Sequence, residues 1–234
     1  MTTPLHVLSA GAAKGLVEAL RWDFEKASSL PVEAHFGAVG AIKEELLQGA
    51  PCDVLILTQR VLEDLVRDSL VDAASIRPLG HVSTGIAVLA GEPHPAIHDA
   101  DALVRTLRAA SAIYLPDPKR ATAGIHLMRV IEKLGLAADV DARLQAYPNG
   151  AAAMGALARS SDARAVGCTQ VTEILYTPGV ELAGRLPPGL DLSTLYGACV
   201  CRRATSPDVA QRLVDMLAGE AVASMRRQGG FEPA

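Results

Sequence analysis

The sequence predicts an α/β fold made of two lobes, and three observations lead to this prediction. Short apolar segments alternate with amphipathic helical segments along the chain, which is the pattern of a mainly parallel sheet covered by helices. The turns after the first two predicted strands consist mostly of small residues. The same alternation starts again after the proline-rich residues 91–95, so the chain is expected to leave a first lobe and to return to it later.

The first lobe begins with three predicted strands, over residues 5–8, 32–36 and 53–57. Small-residue turns at residues 9–12 and 37–40 lead from the first two strands into helices with apolar residues at helical spacing. Such turns place free backbone N–H groups and positive dipole ends at the carboxyl edge of a parallel sheet. Open α/β sheets bind their ligands at this edge, so the segment is expected to hold a small anion.

The alternation continues through the rest of the chain. A third helix follows Thr58, and a strand covers residues 85–90. After the proline-rich stretch, Thr122 is a good N-cap for a central helix. The remaining predicted elements are helices over residues 101–110, 151–159 and 209–225, and strands over residues 111–115, 144–147, 163–168 and 195–201.

These elements predict two lobes, of which the first consists of two separate chain segments and the second of one. The first lobe is expected to span residues 1–90 and 196–234, and the second to span residues 91–195. A cleft between two such lobes is the default ligand site, and closure about the two crossing strands is the expected motion.

Composition disfavours several classes of protein. Half of the 234 residues are apolar, which is enough for a large core. The net charge is −4 and aromatic residues make up 3% of the chain, whereas nucleic-acid binding calls for a basic surface and stacking aromatics. No apolar run approaches the ~18 residues that a membrane span needs. We therefore expect no nucleic-acid partner and no membrane span.

Residues 1–4 lack the basic start and the apolar stretch of a secretory signal. We therefore expect a cytoplasmic protein. It would be periplasmic only if a leader had been removed, and only an exported form would have a transporter partner.

The four cysteines have no CxxC spacing and are expected to be buried thiols, while His94 and His98 flank prolines without metal-ligand spacing. Neither a metal site nor a cofactor is predicted.

The order of these segments resembles a known family. Residues 6–12, 36–40 and 49–56, the last with the pattern Gly-Ala-Pro-x-Asp-Val, are similar to type II periplasmic solute-binding proteins. Within that family they look like the molybdate-binding group, which includes aconitate isomerase. The resemblance covers nearly the whole chain and implies a type II periplasmic-binding-protein-like fold with the ligand in the cleft between the lobes.

Four positions bear on the ligand that the resemblance implies. The group's oxyanion site uses two serine hydroxyls, an alanine amide and a tyrosine, and the matching residues here are Ala12, Val39, Ala123 and Thr169. Each donor that a buried anion loses costs roughly 1–3 kcal/mol. We therefore expect an organic carboxylate rather than molybdate as the ligand.

The candidate ligand-binding residues come from the strand ends and helix starts of both lobes. Arg120 offers a planar fork that suits a carboxylate, although loop charges are more often solvated. The complete candidate set is Ser9, Ala10, Gly11, Ala12, Ala38, Val39, Thr58, Arg120, Thr122, Ala123, Tyr147, Thr169 and Gln170.

Two functions from different classes follow. The first is a binding protein that holds a small anion. The second is an isomerase of the aconitate-isomerase type, with His126 or Lys119 moving an allylic proton. A structural helix histidine and a solvated lysine are the alternatives for these two residues. Asp53 and Asp117 are expected to accept hydrogen bonds at turns.

Overall fold

The computed structural model describes residues 3–234 and confirms the predicted α/β fold of two lobes. The first compact unit comprises the chain up to Val82 together with Thr194–Ala234, and the second comprises Ser83–Ser193. Among residues 3–234, no helix combines the length and the apolar character that crossing a bilayer requires.

The first unit is built on four strands in the order β2 (Val32–Gly37), β1 (Leu5–Ala10), β3 (Val54–Thr58) and β9 (Ser193–Val200). The strands β1, β2 and β3 are parallel, and β9 runs antiparallel to β3. Apolar side chains from both faces of this sheet pack against the helices, and β3 is buried at every position. The elements of this unit are β1 (Leu5–Ala10), α1 (Lys14–Ser28), β2 (Val32–Gly37), α2 (Val39–Leu47), β3 (Val54–Thr58), α3 (Gln59–Arg67), β9 (Ser193–Val200), α9 (Pro207–Ala218) and α10 (Ala223–Gln228).

The second unit is entered through β4 (Arg77–Leu89), which belongs to the first unit as far as Val82. In this unit β5 (Ile113–Pro116) pairs in parallel with β6 (Leu144–Tyr147) and β7 (Val166–Gln170), while β4 runs antiparallel to β7 and β8 (Val180–Arg185). Its further elements are α4 (Ala100–Ala109), β5 (Ile113–Pro116), α5 (Thr122–Lys133), α6 (Ala137–Val140), β6 (Leu144–Tyr147), α7 (Gly150–Ala158), β7 (Val166–Gln170), α8 (Val171–Tyr176) and β8 (Val180–Arg185).

The last helix differs from the prediction of one helix over residues 209–225. α9 ends at Ala218 because Gly219 has an extended backbone, with φ −61° and ψ 153°. Arg226 Nη1 donates to the carbonyl oxygens of Leu217 and Gly219 at 2.9 and 2.8 Å. These bonds satisfy carbonyl groups that the end of α9 leaves without a helical partner, so the break is stabilised.

The carboxylate of Asp53 joins the two chain segments that make up the first unit. Asp53 is 1% exposed. Its Oδ2 accepts a hydrogen bond from the His6 N–H at 2.8 Å, and its Oδ1 accepts bonds from the N–H and Oγ1 of Thr205 at 2.6 and 2.9 Å. The structural role expected of Asp53 is confirmed, because all of these bonds fix backbone segments around β1 and the chain after β9.

Candidate functional site

The carboxyl ends of β1, β2 and β3 form one edge of the first unit. Ala10 lies opposite Gly37 in the β1–β2 register, and Ser9 lies opposite Ile56 in the β1–β3 register. A 3-10 turn, Gly11–Ala13, connects β1 to α1. The structure therefore brings together at this edge the predicted residues Ser9, Ala10, Gly11, Ala12, Ala38, Val39 and Thr58.

Several of the helices that start at the two sheet edges lack side-chain caps. Ala13, Ala38, Thr58 and Ala121 precede α1, α2, α3 and α5, and in the part of the chain that the structure describes no side chain caps these N-termini. In contrast, Asp99 caps α4 and Asn149 caps α7, at 2.7 and 2.8 Å. The first N–H groups of a helix need an acceptor, and a bound anion can supply it.

The polar side chains at this edge have little freedom. Ser9 is fully buried, and its Oγ donates to the Ala10 carbonyl oxygen at 2.9 Å. Thr58 is 8% exposed. Ala12 and Ala38 are also buried, and Val39 is half-buried. Backbone N–H groups are therefore the main polar groups that this edge can offer to a ligand.

Lys14 is a residue at this edge that the sequence analysis missed. It is the first residue of α1, and its Nζ lies 5.7 Å from the centre of the Phe36 ring at the end of β2. A cation at a helix N-terminus is opposed by the helix dipole. Lys14 therefore adds positive charge to this edge, and a lysine in the first turn of α1 is the sequence signal that could have revealed it.

The carboxyl ends of β5, β6 and β7 form the corresponding edge of the second unit. Pro116 lies opposite Tyr147, whose ring stacks on Tyr114 with the centroids 5.9 Å apart. Gln170 ends β7 and is 3% exposed. The structure thus brings Thr122, Ala123, Tyr147, Thr169 and Gln170 to the strand ends and helix starts of this unit.

The turn before α5 is organised by Asp117. Its Oδ1 accepts from the N–H groups of Lys119 and Arg120 at 2.8 and 3.1 Å, and its Oδ2 accepts from Arg120 Nε at 2.9 Å. Burial raises the pKa of Asp117, but these hydrogen bonds outweigh burial and hold the pKa below its usual range. Asp117 thus has the turn role expected of it, while Lys119 and Arg120 are exposed.

Helix α5 positions the other acid–base candidate. Gly124 allows α5 to begin close to β5, because a Cβ at this residue would lie 2.4 Å from the Pro116 carbonyl oxygen. His126 Nε2 lies 2.8 Å from the Leu190 carbonyl oxygen. A carbonyl oxygen can only accept, so Nε2 carries a proton in this arrangement. Lys133 Nζ donates to the carbonyl oxygen of the preceding residue, Gly189, at 2.9 Å, so α5 holds this loop at two points.

A buried carboxylate lies behind the strand ends of the second unit. Glu173 is 6% exposed, and its Oε2 accepts a hydrogen bond from Thr169 Oγ1 at 2.5 Å. Burial raises the pKa of Glu173, and the hydrogen bonds from Thr169 and from the backbone of Ala151, Gln170 and Gly150 only partly offset this. The Thr169 hydroxyl therefore donates to the protein rather than to a ligand.

Gly150 is required by this buried group. A Cβ at Gly150 would lie 1.9 Å from Glu173 Oε2 and 2.1 Å from Thr169 Oγ1. Glu173 and Asn149 together occupy the first N–H groups of α7. The N–H groups at the start of α7 therefore find acceptors within the protein, unlike those at the starts of α1, α2, α3 and α5.

Across residues 3–234, no group of three or more histidine, cysteine or acidic side chains is arranged to hold a metal ion.

Comparison with known proteins places this geometry in a family. The model for the bacterial extracellular solute-binding proteins matches residues 5–232. The chain belongs to this family. The resemblance to the molybdate-binding-like group is confirmed.

Three relatives illustrate the similarity. The chain is 27% identical to the aconitate isomerase of Pseudomonas sp. over 237 aligned positions, which cover 99% of this chain and 88% of the isomerase. The periplasmic molybdate-binding protein of Azotobacter vinelandii has a TM-score of 0.79 at 17% identity, over 98% of this chain and 99% of that protein. The sulfate-binding protein SubI of Mycobacterium tuberculosis H37Rv has a TM-score of 0.76 at 18% identity, over 99% of this chain and 87% of that protein.

The raised pKa of Glu173 has a consequence for stability. A folded-state pKa above the unfolded value means that the folded state binds more protons, so this contribution to stability is lost as the pH rises through the folded pKa. Glu173→Gln should therefore gain stability relative to the wild type as the pH increases from 5 to 8.5, by up to ~1.4 kcal/mol per pH unit within the titration window. Urea unfolding at a series of pH values measures this difference.

Two further variants make this test specific. Glu132→Gln changes an exposed glutamate on α5 and should track the wild type at each pH. Glu173→Ala leaves Thr169 and three backbone N–H groups without their acceptor and should lose about 2–4 kcal/mol. A constant difference between the Glu173→Gln variant and the wild type across this range would contradict the assignment.

Proposed function

We propose that this solute-binding protein holds a small organic carboxylate at the uncapped helix N-termini. One observation carries the proposal: the starts of α1, α2 and α3 lack side-chain caps at one edge of the sheet, and Lys14 adds a positive charge there. An anion bound there would accept hydrogen bonds from backbone N–H groups and would be attracted by the positive helix ends and by Lys14. A neutral ligand would lack that attraction, and a cationic ligand would be repelled.

The side chains favour a carboxylate over a tetrahedral metal oxyanion. Ala12 and Val39 stand where the resemblance implies serine hydroxyls, and the Thr169 hydroxyl donates to Glu173. A small oxyanion that is fully desolvated needs a donor for most of its oxygens. A carboxylate group has only two oxygens that need donors, and the carbon atoms of an organic acid suit the apolar surface of Val39.

A second candidate function is isomerisation of an unsaturated polycarboxylate. The relative that is named aconitate isomerase is aligned over nearly the whole chain, and such a substrate is itself an organic carboxylate. His126 and Lys119 are the proton carriers proposed for this reaction. The bond from His126 Nε2 to Leu190 leaves Nδ1 as the ring nitrogen that could exchange a proton.

The transporter partner depends on where the protein acts. The family is extracellular by description. An ABC transporter is a proposed partner of this chain only in an exported form, because a binding protein delivers its ligand to a transporter on the same side of the membrane.

The binding proposal predicts a specific effect at Lys14. A thermal-shift screen would compare mono-, di- and tricarboxylates with molybdate, tungstate, sulfate and phosphate in low salt, and calorimetry would measure the dissociation constant for the best ligand. A ligand at ~100 times its dissociation constant adds about 2.7 kcal/mol of stability. We expect a carboxylate to give the largest shift, and Lys14→Gln to weaken its binding about tenfold, since a hydrogen bond to a charged group contributes roughly 1.5 kcal/mol.

Lys26→Gln is the matched control. Lys26 lies on the same helix with its Nζ 5.1 Å from the centre of the Trp22 ring, so it repeats the lysine–aromatic contact at the opposite end of α1. The Lys26→Gln variant should bind within about twofold of the wild type, because dipole and charge effects fall off within a turn or two. Stabilisation by molybdate or tungstate alone, or equal affinities of the two variants, would refute the proposal.

The isomerase alternative predicts turnover as well as binding. Aconitate incubated with the protein in D₂O should give its isomer with deuterium at the allylic carbon, which proton NMR detects. His126→Gln keeps an N–H donor for Leu190 but removes the imidazole, so it should abolish turnover if His126 carries the proton. Lys119→Gln tests the other carrier. Aconitate that stabilises the protein but stays unchanged would leave binding as the function.

A further inference from the structure

Two cysteines that are far apart in sequence meet in the first unit. Cys201 Sγ donates to Cys52 Sγ at 3.2 Å, and Cys52 Sγ donates in turn to the Val54 carbonyl oxygen at 3.3 Å. The expectation of buried thiols is confirmed, since Cys52, Cys168, Cys199 and Cys201 are all buried and free. This contact, however, pairs two of them across the unit.

The backbone holds this pair in place from both sides. Cys52 precedes β3 and Cys201 follows β9, and these strands are antiparallel neighbours. The Cys201 N–H donates to the carbonyl oxygen of Asp53 at 2.9 Å, and Cys201 forms a bridge with Val71 on its other side. The two sulfur atoms can therefore bond to each other without a rearrangement of the strands.

The pair also has a route to solvent. A cavity of about 420 Å³ is lined by both cysteines together with Asp68, Arg202 and Arg203. Cys52 is 8% exposed and Cys201 is 4% exposed, whereas Cys168 and Cys199 are fully buried. The hydrogen bond with Cys201, and then burial, raise the pKa of Cys52, and burial raises that of Cys168 to about 12, so it is access from the cavity that distinguishes the pair from Cys168.

We propose that Cys52 and Cys201 are a redox-active pair that forms a disulfide when a disulfide oxidant is present. One cysteine thiolate attacks the oxidant, breaks its S–S bond and releases one thiol. The second cysteine thiolate then attacks the mixed disulfide, forms the Cys52–Cys201 bond and releases the second thiol. The protein loses two protons and two electrons, and both electrons reduce the oxidant.

The bond would change the connectivity of the first unit. The closed loop runs from residue 52 to residue 201 and contains all of the second unit, Ser83–Ser193. A disulfide that closes a long loop restricts the unfolded chain strongly. Oxidation would therefore join the two segments of a discontinuous unit covalently, which suits a protein that meets an oxidising compartment.

The test is oxidation of the intact protein with oxidised glutathione at about pH 8.5, where more thiolate is present. The sample is then unfolded, alkylated and analysed by intact mass and non-reducing peptide mapping. We expect two alkylated cysteines instead of four, a peptide that links Cys52 to Cys201, and a melting temperature about 5–10 °C higher than that of the reduced protein.

Variants separate this pair from the other thiols. Cys52→Ser and Cys201→Ser should each abolish both the linked peptide and the rise in melting temperature, whereas Cys168→Ser should keep both. Four alkylated cysteines after oxidation, or a disulfide that fragmentation of the linked peptide places on Cys199 or Cys168, would overturn the proposal. The mass measurement on the wild type decides the question even if a variant folds poorly.

Discussion

Backbone N–H groups at the start of a helix need an acceptor, and this requirement governs where the molecule can bind a ligand. Asp99 and Asn149 satisfy it for α4 and α7 within the protein, and Glu173 adds a buried acceptor at α7. The helices that begin at the ends of β1, β2, β3 and β5 have no such side chain among the residues described by the structure. The proposed function uses this difference, because an external anion would complete the helix starts of the first unit.

The rigidity of the first edge depends on the discontinuous construction of its unit. β9 and the chain after it return to a sheet that the N-terminal segment has already begun, and Asp53 fixes that return through its bonds to His6 and Thr205. The Cys52–Cys201 contact lies at the same junction. Asp53 thus joins the segments that position the strand ends of β1 and β3, and the thiol pair lies beside this junction.

Local sequence patterns predicted most of the strands and helices, and the features that they did not predict depend on contacts between distant residues. Apolar periodicity and small-residue turns predicted β1 to β3 and their helices, since both signals lie within a few residues. β8 was not predicted because Val180–Arg185 becomes a strand only by pairing with β4. Glu173 was missed as a buried group because its acceptor role depends on Thr169 and on the start of α7, and a lone glutamate in a sequence suggests exposure.

Amide chemical shifts test directly whether backbone N–H groups of the uncapped helices bind the anion. The ¹⁵N-labelled protein would be titrated with the anion that gives the largest thermal shift. We predict the largest changes at residues 11–14 and 39–40, where N–H groups lack a side-chain acceptor. Changes concentrated at residues 101–102 or 150–152, whose N–H groups already have side-chain acceptors, would contradict this binding mode.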